Sequence, residues 1–114
     1  MNPTTRVFLE HILESSQIIQ KYVRGTTKQG FLTSMQAQDA VIRRLEIIGE
    51  AVKNLPPEFR AEHPEVPWRQ IAGLRDVLIH HYMSVDYDLT WTITQKDIPE
   101  LERQIKRILD ESEG

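Results

Sequence analysis

The residue types that could do chemistry crowd into one stretch, Arg75-Asp76-Val77-Leu78-Ile79-His80-His81-Tyr82, with Ser84 just beyond. Arginine supplies a planar, permanently charged fork that matches a phosphate or carboxylate. Histidine is the side chain whose ordinary titration range suits a general base near neutral pH. Counted on a helix, Arg75 shares a face with Trp68, Ile71, Leu78 and Tyr82, so its guanidinium is expected within an apolar stripe. A cation there needs an anion or a set of acceptors. Two readings follow: a structural ion pair with an acidic residue of another helix, or an anion-binding site. Asp76 and His80 stand four apart, the spacing at which a carboxylate reaches an imidazole one helical turn on. Such a contact orients the ring and raises its proton affinity, which serves a structural histidine and a catalytic base equally.

Five residues of straight helix turn the chain by about 500°, leaving Arg75 and His80 about 140° apart. One phosphate could then meet both only if the helix bends or if two chains share the site. A two-fold dimer would set Arg75 of one chain near His80 of the other. Ser84 extends the row Asp76, His80, Ser84 at four-residue steps, but no strained nucleophile elbow or oxyanion hole accompanies it. Adjacent His80 and His81 diverge by about 100°, the wrong disposition for joint zinc ligation. His11 and His63 stand alone and read as surface residues. Arg43-Arg44, Arg60 with Arg69, and Arg103-Lys106-Arg107 read as ordinary solvated helix charge.

The elements that position this stretch are helical. The chain has 114 residues, which fits one domain over residues 1–114. A hydrophobic fraction of 39% and a charged fraction of 27% place it with globular proteins rather than membrane or disordered chains. No cysteine is present, which excludes disulfides, thiolate metal sites and a thiol nucleophile and fits a reducing compartment. The start is polar and helical in period, unlike a secretory signal, so a soluble cytoplasmic protein without a membrane role is expected. The formal net charge of −3 supplies no global positive field, so an RNA partner must be held by local cations.

Phe8, Ile12, Ser15, Ile19 and Tyr22 mark one face of a first helix from about Thr4 to Arg24, stopped by Gly25. Residues 25–30 read as a polar joint. Val41, Leu45, Ile48, Val52 and Leu55 make a wide stripe on a second helix, which Pro56-Pro57 ends. The 56–66 connector has room for one short helical turn. Pro67 opens a third helix through WRQIAGLRDVLIHHY. Asp86 caps a fourth segment from Tyr87. Asp97 with Glu100 has the form of a capping box, and Pro99 implies either two helices or one kinked helix. No period-two run argues for strands. The fold class expected is all-α, an antiparallel bundle of four main helices.

The octet beginning at Arg75 is R-x-x-x-x-H-x-Y. With RRLEIIGEAVKNLPPEFRAEHPEVPWRQIAGLRD before it, and HHYMSVDYDLTW and IPELERQIKRIL after it, it resembles the HepT-like toxins of the HEPN/MNT toxin–antitoxin class. The resemblance covers residues 40–109, and the first helix is compatible with it. It implies a HEPN bundle, a homodimer with the motif at the interface, and cofactor-free, metal-independent cleavage of RNA. By that resemblance Arg75 and His80 are the catalytic pair, with Asp76 in support. Tyr82 is the acceptor of AMP from an MNT nucleotidyltransferase antitoxin, MntA. The motif often has asparagine after its arginine. Asp76 stands there instead, a carboxylate that could orient His80 or repel a phosphate. The alternative is a non-catalytic helical module that binds a nucleotidyltransferase or a nucleotide.

Overall fold

Three long helices form the frame, and their caps are written in the sequence. In the computed structural model, which describes residues 1–81 and 84–113 (the side chains of 79–81 and 113 excepted), α1 spans Pro3–Val23, α3 Met35–Lys53 and α8 Asp97–Glu113. Asn2 opens α1 by accepting the Thr4 amide on its side chain at 2.7 Å, and Ser34 does the same for Ala37 at the start of α3, at 3.1 Å. Gly25, at φ 83°, takes the left-handed turn that ends α1. Helix α1 lies against both α3 and α8. The core between them holds Leu9, Ile12, Ile19, Val41, Leu45, Ile48, Val52, Ile105 and Ile108, all buried. Hydrophobic burial on this scale is the main term holding so small a domain together.

Shorter elements close the frame. Helix α2, Lys28–Leu32, lies inside what reads as a polar joint. Thr27 caps it through the Gly30 amide at 3.0 Å, and its Phe31 is fully buried against Trp91, ring centroids 5.6 Å apart. The buried Gln38 amide donates to the Phe31 and Leu32 carbonyls at 3.1 Å each, tying the start of α3 to the end of α2. Helix α4, Pro57–Glu62, is the short turn expected in the connector. Helix α7, Tyr87–Gln95, starts at Asp86, whose carboxylate accepts the Leu89 amide at 2.9 Å. The chain breaks at Lys96 between α7 and α8, so there are two helices, not one kinked helix, and Pro99 sits in the first turn of α8. Glu100 accepts hydrogen bonds from Arg103 one turn on, in place of the expected capping box with Asp97.

Several expectations need correction. The buried face of α1 runs through Thr5, Leu9, Ile12, Ser15, Ser16, Ile19 and Val23, which includes the expected Ile12, Ser15 and Ile19. Tyr22 is exposed, because helix ends at Val23 and the larger ring is tolerated at the rim. The third helix is not continuous. It comprises α5, Trp68–Ala72, and α6, Leu74–Leu78, separated at Gly73. Beyond Leu78 the chain forms a hairpin of β1, Ile79–His81, and β2, Ser84–Val85, paired antiparallel with Ile79 opposite Val85 and His81 opposite Ser84. The Asp86 amide closes its base on the Leu78 carbonyl at 2.8 Å. Glycine lowers helix stability by about 1 kcal/mol, and β-branched and histidine residues are weaker helix formers than leucine. A hairpin this short leaves no period-two signature.

Gly49 sets the distance between α3 and α5. A Cβ at this buried position would meet the carbonyl oxygens of Ile71 and Ala72, each at 3.5 Å. That is ordinary contact for a methyl group and no room for more. Gly49→Ala is therefore expected to hold or raise the thermal midpoint, gaining up to about 1 kcal/mol of helix propensity. Gly49→Val should lose about 1–3 kcal/mol by overpacking. Thermal melts of the two variants check this, and a valine variant as stable as the parent would contradict it.

Candidate functional site

Arg75 stands on α6 and does not lie in the core. Its side chain is 65% exposed, and its Nε faces Glu46 Oε2 of α3 at 3.4 Å. The expectation of a guanidinium sunk in an apolar stripe is corrected. Helix is broken at Gly73, and Trp68, Ile71 and Leu78 go inward while the long Arg75 side chain reaches out to Glu46 on α3. Ile42, Leu45 and Leu78 line a shallow recess beneath the pair. The acidic residue of another helix is there, as one reading required, but the contact is open. An exposed pair of this kind is worth about 0–1 kcal/mol, so Glu46 orients the fork without locking it, and an incoming phosphate can compete for it.

Sequence reasoning did not find Glu46. Its partner becomes identifiable only when α3 is laid beside α6, an arrangement that no local spacing encodes.

His80 lies on β1, two residues past the end of α6. The straight-helix geometry that would set it about 140° from Arg75 therefore does not apply, nor does the helical four-residue contact with Asp76. Tyr82 lies outside the described residues. Asp76 is exposed in the first turn of α6. Ser84 is exposed on β2, so the row Asp76, His80, Ser84 is not carried by one helix.

Of the isolated histidines, His11 is exposed as expected. His63 is not a free surface residue. It is half-buried, its ring packs against Phe59 at 4.7 Å between centroids, its Nδ1 lies 3.4 Å from Glu65 Oε1, and its carbonyl accepts the Trp68 indole N–H at 2.9 Å. It pins the connector to α5.

Among the described residues, no group of three or more histidine, aspartate or glutamate side chains is placed to hold a metal ion. None of the described helices is long and apolar enough to cross a membrane.

The site therefore offers a solvent-facing arginine fork on the last helical turn before a hairpin that carries histidine. The arrangement can receive an anion from solvent at Arg75.

Comparison with known proteins gives this arrangement a family. Residues 12–108 match the family model described as Ribonuclease HepT-like. A protein of Caldanaerobacter subterraneus subsp. tengcongensis named "Putative RNase" is 50% identical over 93% of this chain and 95% of its own length. "Probable ribonuclease HepT" of Thermococcus cleftensis is 42% identical over 95% of this chain and 98% of its own. "Gamma-glutamylcyclotransferase and putative RNase" of Methanocaldococcus jannaschii is 49% identical over 97% of this chain, which spans 50% of that longer protein. No solved structure matches the chain. The match to the family model covers most of the chain, the full-length relatives carry ribonuclease names, and the all-helical frame agrees with them: the chain belongs to the HepT-like ribonuclease family.

Proposed function

We propose that this chain is the toxin of a toxin–antitoxin pair, a metal-independent endoribonuclease that works as a homodimer. The observation that carries the reading is Arg75, a solvent-open guanidinium steadied at one nitrogen by Glu46 and followed at once by the segment bearing His80 and Tyr82, in a chain of a ribonuclease family.

RNA brings its own nucleophile. In the proposed reaction His80 removes the proton of a 2′-hydroxyl as that oxygen attacks the adjacent phosphorus. Arg75 holds the non-bridging oxygens, whose charge grows toward the transition state. The 5′-oxygen leaves with a proton, and the other fragment ends in a 2′,3′-cyclic phosphate. Asp76, the residue after Arg75 in the sequence, is assigned the role of a supporting carboxylate. A nucleotidyltransferase antitoxin of the MntA type silences the enzyme by transferring AMP to the Tyr82 hydroxyl. The added phosphate would compete for the guanidinium and keep RNA out.

Net charge of −3 and the carboxylate of Asp76 favour a second reading, in which the module binds a nucleotide or nucleotidyltransferase without cutting RNA. The two are separated by cleavage assays on the purified chain. Arg75→Ala should lower cleavage about 10²–10³-fold and His80→Ala about 10²–10⁴-fold, with helicity and dimer mass unchanged and growth arrest relieved. Undiminished cleavage by a clean His80→Ala preparation removes the catalytic reading.

Glu46→Gln tests how the fork is held. Stability should fall by less than about 1 kcal/mol, while cleavage falls far less than in Arg75→Ala. A Glu46→Gln variant as inactive as Arg75→Ala would show that the ion pair itself, and not the free guanidinium, is required.

Mixing inactive Arg75→Ala and inactive His80→Ala chains should restore part of the activity if each site takes one residue from each subunit. No recovery in a verified heterodimer counts against a shared site. Intact mass of the protein made with its antitoxin should show added adenylate, mapped by peptide analysis to Tyr82. Adenylate on any other residue rejects that assignment.

A further inference from the structure

A second cationic site lies away from Arg75, on the other side of the α5–α6 segment. Helices α4 and α5 face each other across a cavity of about 480 Å³ lined by Pro57, Arg60, Ala61, Trp68, Arg69 and Gln70, with Pro67 at its edge. This lining contains two arginines and no acidic residue. Neither arginine has an ion pair or side-chain hydrogen bond among the described residues, in a chain where Arg6, Arg75 and Arg103 each face a carboxylate. Arg60 is the telling member. Its Nε is buried and has no hydrogen-bond partner. A buried guanidinium N–H without an acceptor is unfavourable by itself; the residue as a whole is half-buried and lines the cavity, so an anion there would meet its charge from the cavity side. Solvated helix charge, the reading that the sequence gives to Arg60 and Arg69, does not describe it.

This cavity runs into a larger one. Pro67, Arg69 and Gln70 also line a neighbouring groove of about 680 Å³ whose walls are Ile71, Leu74, Val77, Ile93, Ile98 and Leu101. Its volume is in the range of small-ligand sites. Val77, at 50% exposed, stands at its mouth. Asp97 and Glu100 lie on the groove wall that α8 supplies, and Glu100 is already engaged by Arg103. The groove carboxylates are absent from the Arg60 cavity; Lys96 lies beside Asp97 on the groove wall, and two arginines without a carboxylate stand at the Arg60–Arg69 end.

The geometry points to a nucleotide subsite: we propose that Arg60 and Arg69 hold a backbone phosphate of single-stranded RNA outside the scissile linkage, with the base of that nucleotide in the apolar groove beside them. Unpaired bases are recognised by burial against side-chain faces, while phosphates supply most of the affinity. Because Leu74 and Val77 line the groove while Arg75 is turned toward Glu46, the nucleotide bound here is not the one held at Arg75. The inference rests on RNA being the substrate, but not on which residues cut it.

The test is binding, kept separate from cleavage. A fluorescent 2′-O-methyl oligoribonucleotide, which lacks the attacking hydroxyl, is titrated against the full chain over a range of salt. Arg60→Gln with Arg69→Gln should weaken binding about tenfold or more, and should reduce the slope of log affinity against log salt by about 0.7 for one lost phosphate contact on a single strand. Arg69→Glu, at an exposed position, should do the same or more and guards against misfolding of the double variant. Val77→Gln should weaken the oligonucleotide but not an otherwise identical abasic one.

Unchanged affinity and salt slope in both arginine variants overturns the proposal, whatever the cleavage assay gives. Loss of AMP binding with intact oligonucleotide binding also overturns it, because the site then serves a free nucleotide. Cleavage that survives Arg75→Ala and His80→Ala, together with binding that falls in the Arg60 and Arg69 variants, rejects the catalytic assignment and supports this one.

Discussion

The close approach of α3 to the end of α5 at Gly49 governs the placement of the candidate chemistry. With only a hydrogen where other residues carry a Cβ, the α3 backbone admits the Ile71 and Ala72 carbonyls to within contact of that position. Gly73 follows immediately and ends α5 there, donating its amide to the Arg69 carbonyl at 3.1 Å. Helix α6 restarts at once, with the Asp76 and Val77 amides on the Gly73 carbonyl at 3.0 and 3.2 Å. The restart fixes the rotation of α6, which sends Leu78 into the core and Arg75 across to Glu46. A wider separation of α3 and α5 would move the guanidinium away from its carboxylate. Arg75 is thus aimed by packing around two glycines, with the polar contact at its end contributing little of the energy.

An acidic chain that handles RNA must concentrate its positive charge, and the surface shows how. Part of the charge is neutralised locally. Arg6 faces Glu10 at 2.9 Å, Lys28 faces Asp88 at 3.1 Å, and Arg103 is held by Glu100. These pairs are exposed and add little to stability, but they flatten the potential over the faces that carry them. Against that background, Arg75 with one loose partner and Arg60 with an unpartnered Nε are among the cations open to an anion. Affinity for a polyanion depends on how many phosphates are met by such cations rather than on the formal total.

The frame was legible because three long helices repeat their apolar residues with helical period and carry their stop signals beside them. The stripe Val41, Leu45, Ile48, Val52 and Leu55 is buried throughout, and the caps at Gly25 and Asp86 are where their chemistry predicts. Periodicity failed where elements are shorter than its window. Helix α2 has 5 residues, as do α5 and α6, and a strand of 3 residues has no alternation to read. It failed again at Arg75, whose long side chain reaches out of the counted stripe to Glu46. The buried Arg60 Nε was invisible for a different reason. Its burial depends on α4 folding back against α5, with Phe59 packed on Trp68 at 6.1 Å between ring centroids, a tertiary event with no sequence period.

On the proposed readings, two cationic positions with different surroundings would divide binding from chemistry. A group that touches the scissile phosphate helps only to the extent that it binds the transition state better than the substrate, and an exposed fork with freedom to move can follow the phosphate as its charge grows. A group that holds a neighbouring, unreacting phosphate binds both states alike. Its energy goes into capture, and it can be larger in a recessed place where water screens less. Arg75 has the first setting, 65% exposed beside a loose carboxylate. Arg60 has the second, with a nitrogen already stripped of water and without a partner. On the proposed reading, an adenylate at the motif would act at Arg75 and leave the Arg60 and Arg69 side chains chemically unchanged.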